Sequence, residues 1–89
     1  MPLRALGQLE ELDVSLNELS GHAIEAISGI AQLRKLMMRV CYLGLSGVNL
    51  RPLGALQRLE ELDVRGNLLN REELTEILPH VAIRVYNRD

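Results

Sequence analysis

The string LEELDV stands at residues 9–14 and again at residues 59–64. The echo is longer than the word. PLRALGQLEELDVSLNEL from Pro2 and PLGALQRLEELDVRGNLL from Pro52 agree at twelve of eighteen positions under a single fifty-residue offset. An internal repeat constrains a chain of 89 residues more than any other feature. A period of about 20–50 residues means that each segment is one supersecondary unit, unable to bury its apolar face until a neighbour stacks on it.

Fifty residues conceal a half-period. Between the copies lies LRKLMMRVCYL, where Leu33, Leu36, Met38, Cys41 and Leu43 reproduce the spacing of Leu9, Leu12, Val14, Asn17 and Leu19. Leu59, Leu62, Val64, Asn67 and Leu69 repeat it again. The units are then 24 residues (Leu12 to Leu36) and 26 residues (Leu36 to Leu62) long. A partial fourth unit, LPHVAIRVYN, sets Leu78, Val81 and Ile83 at the spacing of Leu59, Leu62 and Val64. The pattern L-x-x-L-x-L-x-x-N/C-x-L resembles the leucine-rich repeat family over nearly the whole chain. In unit length and intervening helical segments it is most similar to the ribonuclease-inhibitor-like subtype or a near relative. The resemblance implies an α/β solenoid of about three and a half strand-turn-helix units. A short parallel sheet would line the concave face, with helices on the convex face. It also implies one domain over residues 1–89, with repeats at 9–32, 33–58 and 59–80 and a partial unit at 81–89.

The physical reading stands beside the resemblance. Alternation at Leu12, Asp13 and Val14 puts two apolar side chains on one face of a short strand and the carboxylate on the other. Ile24, Ile27 and Ile30 then recur at helical spacing after Ser20, a residue type suited to an N-cap. Asn70 and Glu73 have capping-box spacing, and Pro79 stops the helix they start. The middle unit is richer in glycine and carries Pro52, so its helix is expected to be short or irregular. Strands reached through helical crossovers run parallel, and such crossovers are almost always right-handed.

Leu9, Leu12, Val14, Leu19, Leu33, Leu36, Met38, Leu43, Leu59, Leu62, Val64, Leu69, Val81 and Ile83 are expected to point inward. Asn17, Cys41 and Asn67 occupy the N/C position, which in the resembled family is buried at the bend and hydrogen-bonds neighbouring backbone. No base stands near Cys41 to lower its thiol pKa, so it reads as structural. His22 and His80 form no ligand pair and read as exposed turn residues. The adjacent carboxylates Glu10–Glu11, Glu60–Glu61 and Glu72–Glu73 point in different directions and make no catalytic dyad. Neither a phosphate loop nor a nucleophile motif is present, and no enzyme, metal site or cofactor is expected.

The outward strand positions carry the functional expectation: Glu11, Asp13 and Ser15, then Lys35, Met37 and Arg39, then Glu61, Asp63 and Arg65, followed by His80, Ala82 and Arg84. Stacked strands lie about 4.8 Å apart, so these positions form rows across the sheet. Glu10–Arg34–Glu60 and Glu11–Lys35–Glu61 alternate in sign, which suits a ladder holding units in register. Asp13–Met37–Asp63 is acidic with one apolar member. Ser15–Arg39–Arg65–Arg84 is basic, and like charges side by side either await a partner or are neutralised by diagonal Asp13 and Asp63.

This reading makes the chain a protein-protein interaction module. It would engage a protein partner through Glu11, Asp13, Ser15, Lys35, Met37, Arg39, Glu61, Asp63, Arg65 and Arg84. With only 2% aromatic residues and Tyr42 and Tyr86 off the face, binding would rest on charge around Met37. The alternative is a scaffold or spacer with no ligand on the sheet. A net charge of −2 argues against nucleic acid, and no run approaches a membrane span. A single cysteine favours a reducing, cytoplasmic setting over a disulfide-stapled secreted one. The ends read as open: Met1–Pro2–Leu3 as the close of an earlier repeat's helix, and Arg84, Arg88 and Asp89 as charged guards on the last edge. An excerpt of a longer array, or self-association through uncapped ends, is expected from them. Because each inward residue serves a core this small, Leu62→Ala is expected to cost ~2–5 kcal/mol in a urea unfolding titration.

Overall fold

The computed structural model describes residues 9–41, 43 and 47–85. The readings placed on Met1, Pro2, Leu3, Tyr42, Tyr86, Arg88 and Asp89 lie outside these residues. In chain order the elements are β1 (Glu11–Asp13), α1 (Gly21–Ser28), β2 (Lys35–Met37), a 3₁₀ helix (Arg51–Ala55), β3 (Glu61–Asp63), α2 (Arg71–Ile77) and β4 (Ala82–Arg84). The four strands form one parallel sheet in the order β1-β2-β3-β4.

Each element starts where its sequence permits. Ser20 caps α1 by accepting from the Ala23 amide, and fifty positions on Asn70 caps α2 by accepting from the Glu72 amide at 2.8 Å. In the middle unit Leu43 is helical, and the segment leading into β3 is a 3₁₀ turn with Pro52 near its start, where the missing N–H costs nothing. Pro79 follows the last turn of α2 and ends it.

The core is aliphatic. Leu36 and Leu62 from the strands, Ile24, Ile27 and Leu74 from the helices, and Leu53 from the 3₁₀ turn all belong to one buried cluster. Met38, Val64, Leu33, Leu43 and Leu59 are buried as expected, together with Ile30 and Ile83. Leu9, Leu12, Val14, Leu19, Leu69 and Val81 point the same way but are only half-buried against that cluster.

The backbone ladder continues past the strands into the bends. Val14 N–H donates to Met37 O at 2.9 Å and Leu16 N–H to Arg39 O at 2.9 Å; Met38 N–H donates to Asp63 O at 2.7 Å and Val40 N–H to Arg65 O at 3.0 Å. Asn67 closes the bend of the third unit against the second. Its Oδ1 accepts from the Cys41 amide at 2.6 Å, and its Nδ2 donates to Met38 O at 2.5 Å and Val64 O at 2.9 Å. Cys41 passes the link along with the one weak donor it has, its Sγ–H reaching Val14 O at 3.3 Å.

Three expectations are corrected. Asn17 is exposed rather than buried, and among the described residues its Nδ2 bonds only within its own bend, to Val14 O and Ser15 O. Its bend follows β1, an edge strand, so no neighbouring bend among the described residues offers its Oδ1 an amide. His22 is exposed but sits inside α1 rather than in a turn. The fourth strand is shifted by two residues: Leu62 pairs with Ile83 and Asp63 with Arg84, so Ile83 and Val85 take the places expected for Val81 and Ile83. The strand spacing is 24 from Glu11 to Lys35, 26 from Lys35 to Glu61, then 21 from Glu61 to Ala82. A two-residue slip leaves every side chain on its face, so alternation alone does not forbid it. Arg71 of α2 helps hold the observed register, donating from Nη1 to Ile83 O at 2.7 Å.

A buried amide that loses its partners leaves their polar groups unsatisfied, at about 1–3 kcal/mol for each. Asn67→Ala is therefore expected to lower unfolding free energy by at least about 2 kcal/mol more than Asn17→Ala, measured by urea titration of both variants.

Candidate functional site

The open face of the sheet carries the rows expected to bind a partner, and the structure distributes them unevenly. At the strands' N-terminal ends the alternating ladders are real. Arg34 bonds Glu60 through Nε and lies 3.7 Å from Glu10, while Lys35 lies 3.7 Å from Glu11. The Arg34 guanidinium holds the Glu60 carboxyl below its usual range, and Glu60 in turn raises Arg34. No Lys35–Glu61 ion pair occurs among the described residues, so the second ladder is half formed. An open depression lined by Leu9, Glu10, Glu11, Arg34, Lys35 and Glu60 marks this rim. Three carboxylates against two cations make it net acidic.

In the middle row, Asp13 and Asp63 are the first residues of equivalent turns. The Asp13 carboxylate accepts from the Ser15 amide at 3.0 Å, and the Asp63 carboxylate from the Arg65 amide at 3.2 Å. The second unit has Met37 at this place and no such carboxylate. There the Arg39 amide turns to the neighbouring strand and bonds Ser15 Oγ at 3.0 Å. Ser15's hydroxyl and amide, followed by the charge of Arg39, hold the Asp13 carboxyl below its ordinary value.

Arg39 and Arg65 do not stand as a bare row of like charge. Arg65 turns onto Asp63 of its own strand through Nε at 2.9 Å and Nη2 at 2.7 Å, and Arg39 Nε approaches the same carboxylate at 3.8 Å. Asp63 is consequently only 9% exposed and serves the fold before it serves a ligand. Burial pushes its carboxyl upward, but the hydrogen bonds and charge of Arg65, with Arg39 behind them, outweigh that and hold it low. The fourth member of the expected basic row is misplaced: Arg84 stands beside Asp63, not beside Arg65, because of the register of β4. Ala82 correspondingly faces Glu61, and His80 is an exposed turn residue. Glu11, Lys35, Arg39, Glu61 and Arg84 are exposed, while Ser15, Met37 and Arg65 are half-buried. A depression of about 110 Å³ lies among Lys35, Met37, Glu61, Asp63 and Arg84.

The expected site omits a third feature, at the strands' C-terminal ends. Leu16, Val40 and Gly66 are equivalent bend residues, each one place before the N/C position, and all have positive φ: 65°, 51° and 79°. Glycine is at ease there, but a left-handed conformation costs an ordinary residue about 1–2 kcal/mol, and a β-branched one is an outlier. The ladder bonds of Leu16 and Val40 lock them in it. Neither repays the strain by burial, since Leu16 is 77% exposed and Val40 38%. With Ser15, Arg39, Arg65 and Gly66 they line an open depression of about 420 Å³. The signal was present in the aligned units, where glycine in one copy marks the left-handed position in all three.

A family model described as Leucine Rich Repeat matches residues 8–30, a span that includes β1, its bend and α1. The match supports a leucine-rich repeat protein, and a parallel four-stranded sheet with two α-helices fits such a fold. Leucine-rich repeats are in general protein-protein interaction modules. No curated protein and no solved structure matches the chain. No helix among the described residues is long and apolar enough to cross a membrane.

Asp13, Glu60 and Asp63 all have carboxyls held below their ordinary values, so they bind protons less readily folded than unfolded. Their stabilisation is complete above the unfolded values and is lost as pH falls through the folded ones. The thermal midpoint is expected to fall as pH drops from about 5 to about 3. Asp63→Asn, which keeps a turn acceptor but no charge, should flatten that fall, and superimposable profiles would deny Asp63 the role.

Proposed function

We propose that this chain is a protein-binding module that takes a partner protein on the concave face of its parallel sheet. The observation that carries the reading is the polarity of that face along the strands. One rim sets Glu10, Glu11 and Glu60 against Arg34 and Lys35, and among the described residues the opposite rim is lined by the exposed Arg39 and by Arg65, which Asp63 holds, with no carboxylate in the lining itself. Two rims of opposite sign orient a partner as well as attract it, since complementary potentials set register and raise the association rate. Met37, Glu61 and Arg84 lie between the rims and Lys35 at the acidic edge, none with a structural duty comparable to that of Asp63, and these four are the contact residues of this reading. The ribonuclease-inhibitor-like subtype and the solenoid layout belong to the same proposal, supported by the 24- and 26-residue strand spacing. So does the cytoplasmic setting, supported by a free, buried Cys41.

The test places a photo-crosslinking amino acid at Met37 in one variant and at Glu25, exposed on α1, in another. A specific partner is expected from Met37 and not from Glu25. Its affinity should fall about tenfold in Lys35→Glu and Arg84→Glu, which is ~1.4 kcal/mol, at a temperature where circular dichroism shows both variants folded. Equal crosslinking from both positions, or no partner from either, would leave the sheet without a ligand.

A further inference from the structure

The rim at the strands' C-terminal ends combines two chemistries that folding alone does not require. Leu16 and Val40 hold large aliphatic side chains toward solvent from left-handed positions. Asparagine or glycine would sit there without strain, and the third unit does use Gly66. Gly66 is required to be small for a local reason: a Cβ on it would come within 2.9 Å of Val40 Cγ2. Its absence leaves a step in the surface beside Val40, so the depression has an apolar wall at Leu16 and Val40 and a bare backbone floor at Gly66. Arg39 and Arg65 stand along it. Arg65 is held by Asp63 at 2.7 Å, whereas Arg39 comes no closer than 3.8 Å to that carboxylate and stays exposed, so Arg39 carries the positive charge that the depression offers.

We propose that this rim anchors an acidic-apolar segment of the partner protein: a large aliphatic or aromatic side chain seated on Leu16, Val40 and the Gly66 step, with a neighbouring carboxylate paired to Arg39. The inference rests on the reading that the chain binds a protein, and it adds the partner's chemistry and the point of attachment. Charge complementarity selects this occupant. Arg39, exposed and no closer than 3.8 Å to Asp63, calls for an anion, and the aliphatic wall calls for an apolar group beside it. A nucleic acid is disfavoured, because the described residues lining the depression include no aromatic side chain to stack a base and the chain's net charge is −2.

The experiment selects a randomised twelve-residue peptide library, displayed on phage, against the full chain, and measures the best binders by fluorescence anisotropy. Enrichment of peptides pairing Asp or Glu with a large apolar residue is expected. Binding should weaken roughly tenfold or more in Leu16→Asn/Val40→Asn and in Arg39→Gln. Asparagine tolerates the left-handed region, so the double variant should keep or raise the thermal midpoint, which separates lost binding from lost folding. Peptides without that pairing, or binding indifferent to the double variant, would overturn the proposal. If binding survives Leu16→Asn/Val40→Asn but falls in Lys35→Glu and Arg84→Glu, the sheet still binds and only the rim anchor fails. If a single-stranded oligonucleotide competes for the depression while the selected peptides do not, the occupant is wrong. Peptides insensitive to both sets of variants would remove the rim and the sheet together.

Discussion

The buried amide of Asn67 joins two units at a point where neither can satisfy its own backbone. Strand ladders pair the straight parts of each unit, but a bend points its amides and carbonyls in directions a parallel strand cannot meet. A primary amide offers both donor and acceptor, so one side chain reaches the Cys41 amide, Met38 O and Val64 O together. With the bend fixed, the ladder runs on through Val40 and Leu16, and the strands are kept parallel and close. The aliphatic core depends on that closeness, because among the described residues it has no ring large enough to bridge a gap.

The same bends produce the surface. A chain that must leave a strand, turn and enter a helix within a few residues passes through the left-handed region, and the position where it does so projects its side chain outward. Gly66 answers that geometry with the least strain, whereas Leu16 and Val40 answer it with exposed apolar groups. The apolar rim is thus a consequence of stacking that the residue choice then exploits.

Charge on the sheet divides into two kinds. Asp63 is committed inward: it starts a turn, collects Arg65 and draws Arg39, and its burial is tolerable because all these partners favour the ionised form. Asp13 starts the equivalent turn but remains exposed. Glu61, Lys35 and Arg84 are lightly committed, and Lys35 has only a 3.7 Å pair with Glu11 among the described residues. A row of alternating sign in a sequence therefore mixes side chains that build the sheet with side chains available to a ligand.

The sequence by itself determined the unit, its elements and its faces. Leucine at period two set Leu36 and Leu62 inward and Lys35 and Glu61 outward; Ser20 and Asn70 started the helices; Pro52 kept the middle turn short. These follow from local sterics and hydrogen bonding, which each segment carries with it. Tertiary structure decided how far β4 slides, whether Asn67 or Asn17 is buried, and which carboxylate the two arginines share. The reason is symmetry. Alternation repeats every two residues, so Val81-x-Ile83 and Ile83-x-Val85 are equally good strands, and Asn17 and Asn67, at the same place in their units, differ in what is stacked against them. Such ties are broken by the neighbour, through the Arg71 bond to Ile83 O and the amides of the adjoining bend, and a neighbour exists only once the chain has folded.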